Sequence, residues 1–182
     1  TEPDGRDIGG VIYTADETPK VKWTAEADAV KYAVEIDGQD WIEVLAPTVS
    51  YEFTEGLDDG EHTVRVQACD ALGNWSGYDD DEALTFTVDT TPPAEPDIPH
   101  TDKPLTNERR PTWTWPAVVD AAQYHVFLGK AGTGAICDEK IDADPESMPS
   151  WRPSDEVPGD LADGIYYLQV TAIDALGNES TR

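Results

Sequence analysis

Carboxylates are the side chains that occur often enough in this chain to do chemistry. The 182 residues contain 38 Asp and Glu against 12 Lys and Arg, which gives a formal net charge of −26 at pH 7. Two compatible explanations are bound divalent cations, since calcium prefers oxygen ligands, and a generic acidic surface suited to a saline habitat. The charge excludes nucleic acid and anionic membrane surfaces as partners, because phosphates require a basic face.

The motifs that indicate catalysis are absent from the sequence. It contains no Gly-x-Ser-x-Gly, no phosphate-binding Gly-rich loop and no His-Glu-x-x-His, and its three histidines lack a metal-ligand spacing. Acidic pairs are so abundant that none stands out as a general acid and base. The sequence contains no run of about 18 apolar residues that could insert into a membrane. We therefore expect a protein that is not an enzyme and does not insert into a membrane.

Two tryptophans are candidates for contact with a ligand, which would be a glycan. Trp75 lies in or beside an exposed loop, where an indole can stack on a sugar ring or, more commonly, pack over the base of its own loop. Trp151 lies between residues 130 and 160, the least repetitive segment of the chain, which also contains Gly132 and Gly134. Binding residues collect in loops of that kind.

A long internal repeat positions these residues. Asp70-Ala71-Leu72-Gly73-Asn74 recurs letter for letter at 174–178, about 104 residues later, with a Ser two places further on each time. Upstream, Trp23 aligns with Trp115 at an offset of about 92, so the second copy contains an insertion of about 12 residues. One supersecondary plan is therefore used twice. We predict domains at 1–89 and 90–182, with the insertion near 130–160.

Each copy has the two-residue period of half-buried strands. Apolar and polar residues alternate from Thr63 to Ala68, and the run from Tyr124 to Leu128 places its larger side chains on one face. Turn signals such as Asp59-Gly60 lie between the runs, and no window has sustained helical periodicity. The sequence therefore predicts an all-β chain of two β-sandwiches. Cys69 and Cys137 fall in different domains and are expected to be unpaired.

The spacing of aromatic residues resembles a known family. A Trp on one strand, a short loop and then Tyr32-Ala33-Val34 or Tyr124-His125-Val126 resemble the second and third strands of fibronectin type III or bacterial immunoglobulin-like domains. The linker from Val88 to Pro93 is similar to those that join such domains in large bacterial surface adhesins. The resemblance covers nearly the whole chain and implies two tandem immunoglobulin-like sandwiches joined end to end.

The resemblance also implies a role. It is that of a noncatalytic module in the stalk of a large extracellular or cell-surface bacterial adhesin, with neighbouring domains of the same longer polypeptide as partners. The alternative is an accessory carbohydrate-binding region of an extracellular polysaccharide-degrading enzyme. Many further copies of the repeat would favour the first role, and a neighbouring hydrolase domain would favour the second.

The family's corner turn is recognisable in the second copy. The run from Leu161 to Val170 resembles the corner and the central strand that follows it, and Tyr166 occupies the place of a Tyr that hydrogen-bonds back to the corner. The first copy has His62 at the equivalent position, which departs from the family pattern. We therefore predict the corner bond for the second copy and make no such prediction for the first.

Acidic loops are expected to meet at the domain junction. In sandwiches joined end to end, the loop beginning at Asp174 faces the incoming linker with Asp89, and the corner loop with Asp58 and Asp59 faces it from the other domain. Proteins that this chain resembles often hold calcium there, so we predict a calcium site that rigidifies the junction. The alternative is that an Asp in a turn bonds only its own backbone. Two weaker candidates for calcium are the acidic runs at 79–82 and 142–144.

The last strand is visible in one copy only. Alternation from Ala83 to Val88 predicts it in the first copy, whereas the second stops at Arg182. The chain is expected to be a fragment of a longer polypeptide with an early boundary or a missing tail. Alternatively, a partner segment adds a strand to the open edge of the second domain, or an inserted ligand-binding domain interrupts the sandwich.

Overall fold

The computed structural model describes residues 2–3, 6–8, 11–77, 83–101, 104–144, 147–154 and 158–182. These residues contain strands, turns and bends and no helix, which confirms the predicted all-β class. None of them forms a helix long and apolar enough to cross a membrane. The chain divides into two compact units, Thr1–Thr91 and Pro92–Arg182, close to the predicted boundary after residue 89.

The first unit pairs its strands in two sheets. Its strands are β1 (Glu2–Pro3), β2 (Arg6–Ile8), β3 (Val11–Thr14), β4 (Lys20–Lys22), β5 (Ala29–Ile36), β6 (Ile42–Leu45), β7 (Ser50–Glu52), β8 (Gly60–Asp70) and β9 (Leu84–Val88). One sheet has the order β1-β4-β7 and the other β2-β3-β9-β8-β5-β6. The β3–β9 pair is parallel, and the remaining pairs are antiparallel.

The second unit repeats the central part of this plan. Its strands are β10 (Trp113–Thr114), β11 (Gln123–Lys130), β12 (Gly134–Asp142), β13 (Ser150–Trp151) and β14 (Tyr166–Ile173). β10 pairs with β13, and the other sheet has the order β12-β11-β14. β12 lies in the insertion, so much of the segment expected to form a binding loop is instead an antiparallel strand along β11.

Alternation along the central strands builds both cores. Val34 and Ile36 of β5 are buried in one cluster with Val64 of β8, and Tyr124 and Val126 of β11 are buried in the second cluster. The first core consists of Val21, Val34, Ile36, Phe53, Val64, Phe86 and Val88. The second consists of Trp113, Trp115, Tyr124, Val126, Leu128, Trp151, Leu161, Leu168, Val170 and Ala172.

The aligned aromatic pairs have the same geometry in both units. Trp23 meets Tyr32 edge to face with ring centroids 5.4 Å apart, and Trp115 meets Tyr124 at the same separation. Each Tyr hydroxyl also accepts a hydrogen bond from a backbone N–H six residues upstream. The repeat detected in the sequence is therefore a repeat of contacts.

Candidate functional site

The repeated pentapeptide forms a turn held by its own aspartate. The Asp174 carboxylate accepts the backbone N–H groups of Leu176, Gly177 and Asn178 at 2.8 to 2.9 Å, and the Asn178 side-chain amide at 2.8 Å. Asp70 accepts the equivalent bonds from Leu72 and Asn74. Gly177 has φ 98°, a left-handed conformation that favours glycine. This geometry accounts for the recurrence of Asp, Gly and Asn without a ligand.

The repeated Ser closes the same turn onto the preceding strand. In the second unit the Ser180 hydroxyl accepts the N–H of Ala172 at 3.0 Å, and the Ser180 N–H donates to the Ala172 carbonyl at 2.9 Å. In the first unit Ser76 makes both bonds with Ala68 at 3.0 and 2.8 Å. Asp, Gly, Asn and Ser therefore recur because each has a structural task in the hairpin.

The corner turn is present in both units, with different donors. The Tyr166 hydroxyl donates to the Ala162 carbonyl at 2.7 Å, as predicted. In the first unit Nε2 of His62 donates to the Asp58 carbonyl at 2.8 Å. The departure from Tyr to His at this position therefore does not remove the corner bond, because an imidazole N–H reaches the carbonyl four residues upstream as a phenol does.

His62 also contacts a second loop, the turn that contains Asp37. Its Nδ1 lies 2.7 Å from the carboxylate of Asp37, whose other oxygen accepts the N–H of Thr63 at 2.8 Å. Both ring nitrogens face acceptors, so the ring can donate both bonds only when it is doubly protonated. Burial, the largest single influence, lowers the pKa of His62, but the hydrogen bonds to Asp37 and Asp58 together raise it above its usual value.

The corner loop holds the first residues of the linker. Oδ1 of Asp59 accepts the backbone N–H of Thr90 at 2.9 Å and its hydroxyl at 2.7 Å, and Oδ2 accepts the hydroxyl of Thr91. The side-chain bonds from Thr91 and then Thr90, together with the backbone bond from Thr90, lower the pKa of Asp59. Asp89 accepts the N–H of Thr91 at 3.1 Å. Asp59 and Asp89 thus both accept hydrogen bonds from Thr91.

Each of the four predicted calcium ligands takes part in a hydrogen bond within these loops. Asp58 contributes its carbonyl to the corner, Asp59 and Asp89 bond the linker threonines, and Asp174 bonds its own turn. Within the described ranges, no group of three or more His, Cys, Asp and Glu could hold a metal ion. The acidic run at 79–82 lies outside the described residues.

Trp75 lies at a groove of the first unit. Its side chain is 40% exposed and lines a cavity of about 680 Å³ together with Trp23, Tyr32 and Arg65. The ammonium group of Lys31 lies 4.9 Å from the centroid of the indole ring. Trp75 is therefore accessible to a ligand, and one face of its ring already has a cation beside it.

Trp151 is in the core. It is 5% exposed, packs against Trp113 with ring centroids 5.8 Å apart, and donates its indole N–H to Glu139 at 2.9 Å. The interpretation of Trp151 as a ligand-binding residue is corrected by this burial, because no ring face is left for a sugar. Its position in the least repetitive segment concealed that β13 is a core strand.

Sequence reasoning missed the residues that act across long separations. Thr90 and Thr91 have no motif that signals a bond to Asp59, and no motif pairs His125 with Glu179. Nδ1 of His125 lies 3.1 Å from Glu179, whose carboxylate also accepts the Thr171 hydroxyl. The bond from Thr171 and then the contacts with His125 lower the pKa of Glu179. For His62 a signal did exist, since it aligns with Tyr166.

Comparisons with known proteins agree with this description. Residues 9–90 match the family model of the bacterial Ig-like domain, which confirms the predicted resemblance for the first unit. No curated protein sequence matches the chain.

The likeness to one of the solved structures supports the fold. The crystal structure of chicken CNTN1 FN1–FN3 domains matches all of this chain with a TM-score of 0.53 at 13% identity, and the chain spans 64% of its length. A segment of two fibronectin type III domains from chicken tenascin matches all of this chain and 94% of its own length, with a TM-score of 0.36 at 15% identity. At these identities the likeness to CNTN1 shows the fold alone.

Proposed function

We propose that this chain is a noncatalytic extender module of a large bacterial adhesin, at the cell surface or secreted. The observation that carries the proposal is the tandem itself: two sandwiches on one plan, the first of which matches the bacterial Ig-like family. Domains of this family and of the fibronectin type III type are typically noncatalytic structural modules, and bacterial Ig-like domains commonly occur in extracellular proteins. Its partners would be neighbouring domains of the same longer polypeptide.

The internal structure of the units supports this role. Each has its own hydrophobic core, and both cysteines are unpaired, so neither unit depends on a disulfide. The hairpins and corners are closed by local hydrogen bonds that recur in the two units. Modules of this kind can be repeated along a chain, because each folds on its own contacts.

Surface accessibility tests the proposal directly. Antibodies raised against the chain should label intact cells of the source bacterium, and external protease should remove the label before the cells lyse. A cytoplasmic protein of the same cells serves as the protease control. Labelling only after lysis, together with absence from the culture medium, would contradict an extracellular role.

We propose in addition that calcium binds at the junction through Asp58, Asp59, Asp89 and Asp174. The net charge of −26 supports a cation there, and Asp59 and Asp89 already lie beside the same linker residue. A carboxylate offers about four lone-pair sites, and four hydrogen bonds from its own turn already engage the carboxylate of Asp174.

Titration of the whole chain tests the calcium proposal. Calorimetry should give a dissociation constant of about 10⁻⁴–10⁻³ M, as for extracellular modules. Calcium at ten times that constant should stabilise the chain by about 1.4 kcal/mol, and chelator should reverse the effect. Asp89→Ala should abolish the stabilisation, whereas Asp40→Ala, which removes an exposed Asp from the same unit, should retain it. Equal melting temperatures with calcium and with chelator would leave a plain acidic spacer.

The exposure of Trp75 favours the second candidate function, an accessory carbohydrate-binding region. An indole at the rim of a groove can stack on a sugar ring, and polar side chains such as Arg65 and Asn74 line the same groove. A glycan array of the intact chain discriminates between the roles. An extender should give no signal, whereas a signal that Trp75→Ala abolishes and Trp41→Ala preserves would favour the carbohydrate-binding role.

The edge of β14 supports a proposal about a partner strand. In the first unit β8 pairs with β9 from Gly60 to Val64. On the same side of β14, the described residues provide only the bridge between Ile173 and Glu179. We propose that this edge takes up an antiparallel strand. Extending the chain by about 12 residues should raise the melting temperature of the second unit, and an unchanged value would contradict the proposal.

A further inference from the structure

The linker residues Thr90 and Thr91, at which the chain leaves the first unit, are hydrogen-bonded to both carboxylate oxygens of Asp59 in the corner loop. Asp59 accepts three hydrogen bonds from two consecutive linker residues, two from Thr90 at 2.9 and 2.7 Å and one from the hydroxyl of Thr91. Hydrogen bonds to an ionised acceptor are about twice as strong as neutral ones. The bonds to the Asp59 carboxylate therefore hold the linker more firmly than the neutral hydrogen bonds of a backbone turn would.

The linker is also held from its other side. The Asp89 N–H donates to the carbonyl of Thr14 at 2.9 Å, and the Asp89 carboxylate accepts the N–H of Thr91 at 3.1 Å. Both Thr90 and Thr91 are thus donors in bonds that end within the first unit. Neither residue has the freedom expected of an ordinary linker.

The corner loop that carries Asp59 is itself fixed. The Asp58 carbonyl accepts the bond from His62, and Gly60 pairs with Val88 in the β8–β9 ladder. Because the residues on both sides of Asp59 are bonded to strands, its carboxylate is anchored and cannot simply follow the linker. The bonds to the threonines therefore restrain the linker and leave the loop in place.

We propose that Asp59, Thr90 and Thr91 form an exit latch, which needs no metal and makes the first two residues after Asp89 part of the first unit. The backbone freedom of the linker then begins at Pro92. Pro92 and Pro93 each fix their own φ and restrict the residue before them. The latch thus shortens the length of chain that can bend. Its value as a stiffening device rests on the proposed extender function, but its existence does not.

Amide dynamics of the whole chain in chelator test the latch. In the unaltered chain, Thr90 and Thr91 should have the order parameters of rigid backbone, about 0.85, and in Asp59→Ala they should fall below about 0.6. Exchange of the Thr90 amide should accelerate at least tenfold in the same variant, as expected when a hydrogen bond to an anion is lost. The amide of Phe86 in β9 should stay unchanged, which shows that the unit remains folded.

Two further variants separate the latch from general effects. Asp58→Ala removes the same charge from the same loop and keeps the carbonyl bond to His62, so Thr90 should stay rigid. Thr90→Val with Thr91→Val preserves side-chain shape, removes both hydroxyl donors and leaves Asp59 in place, so it tests the latch if Asp59→Ala perturbs the fold. A flexible Thr90 in the unaltered chain, or equal effects of Asp58→Ala and Asp59→Ala, would overturn the proposal. These readouts lie within one unit and in chelator, so they are independent of the cellular location and calcium tests.

Discussion

His62 in the first unit makes the corner hydrogen bond that Tyr166 makes in the second. The imidazole donates to the Asp58 carbonyl at 2.8 Å, and the phenol donates to the Ala162 carbonyl at 2.7 Å. The two donors occupy equivalent positions of the repeat, but they differ in one physical property. A Tyr hydroxyl stays protonated at physiological pH, whereas a His changes charge there.

The stability of the first unit should therefore depend on pH through His62. Its pKa is raised in the folded state, so its contribution is fully present below the unfolded value of about 6.5 and is lost as pH rises through the folded pKa. The first unit should therefore unfold at a lower denaturant concentration above the folded pKa of His62 than below the unfolded value of about 6.5. His62→Phe should remove this dependence. An NMR titration in which His62 titrates below about 6.5 would show that the sign is wrong.

Removing the phenol of the other corner should cost a fixed amount. Tyr166→Phe deletes one hydrogen bond and leaves the ring, so we expect the second unit to lose about 1 kcal/mol of unfolding free energy at any pH from 5 to 8. Tyr167→Phe is the matched control, because its hydroxyl has no hydrogen bond among the described residues. Chemical denaturation measures both. Equal losses in the two variants would show that the corner bond has no special role.

The repeated hairpin turns should be equally sensitive in the two units. Asp70→Ala and Asp174→Ala each remove hydrogen bonds from three or four donors to a carboxylate, and we expect each to lower the denaturation midpoint of the unit concerned. Asp163→Ala removes the same charge from an exposed loop and should cost less than about 0.5 kcal/mol. The loss that belongs to the turn should persist in chelator, and the calcium proposal predicts an additional loss in calcium for Asp174→Ala and not for Asp70→Ala. A loss seen only in calcium would assign Asp174 to a metal instead of the turn.

A close contact on the outer face of the second sheet gives a test of packing. A Cβ added at Gly129 would lie 2.1 to 2.3 Å from ring atoms of Tyr167, so Gly129→Ala must displace that ring. We expect a loss of about 1 kcal/mol. With Tyr167→Ala already in place, Gly129→Ala should cost nothing measurable, and the double-mutant cycle isolates the contact. Additive losses would mean that the ring does not determine the choice of Gly.

The sequence alone determined the features that depend on short separations. The Asp70 and Asp174 turns close within four residues, and the alternation of β8 and β11 places their apolar faces without further information. The upstream offset of the repeat, about 92 residues, then identifies Trp115 and Tyr124 as the equivalents of Trp23 and Tyr32. Local hydrogen bonding and periodicity can be read from a sequence, because both partners of each interaction lie in the same short segment.

Tertiary structure alone decided which distant residues meet. His62 contacts the carboxylate of Asp37, 25 residues away in the sequence, and Asp59 accepts hydrogen bonds from the linker threonines, 31 and 32 residues away. The segment that contains Trp151 looked like a loop, yet it pairs with β10 and buries the ring. None of these residues has an alternation or turn signal that names its partner. The partners are set by the ladders β5–β8, β8–β9 and β10–β13, which bring loops together only after the chain has folded.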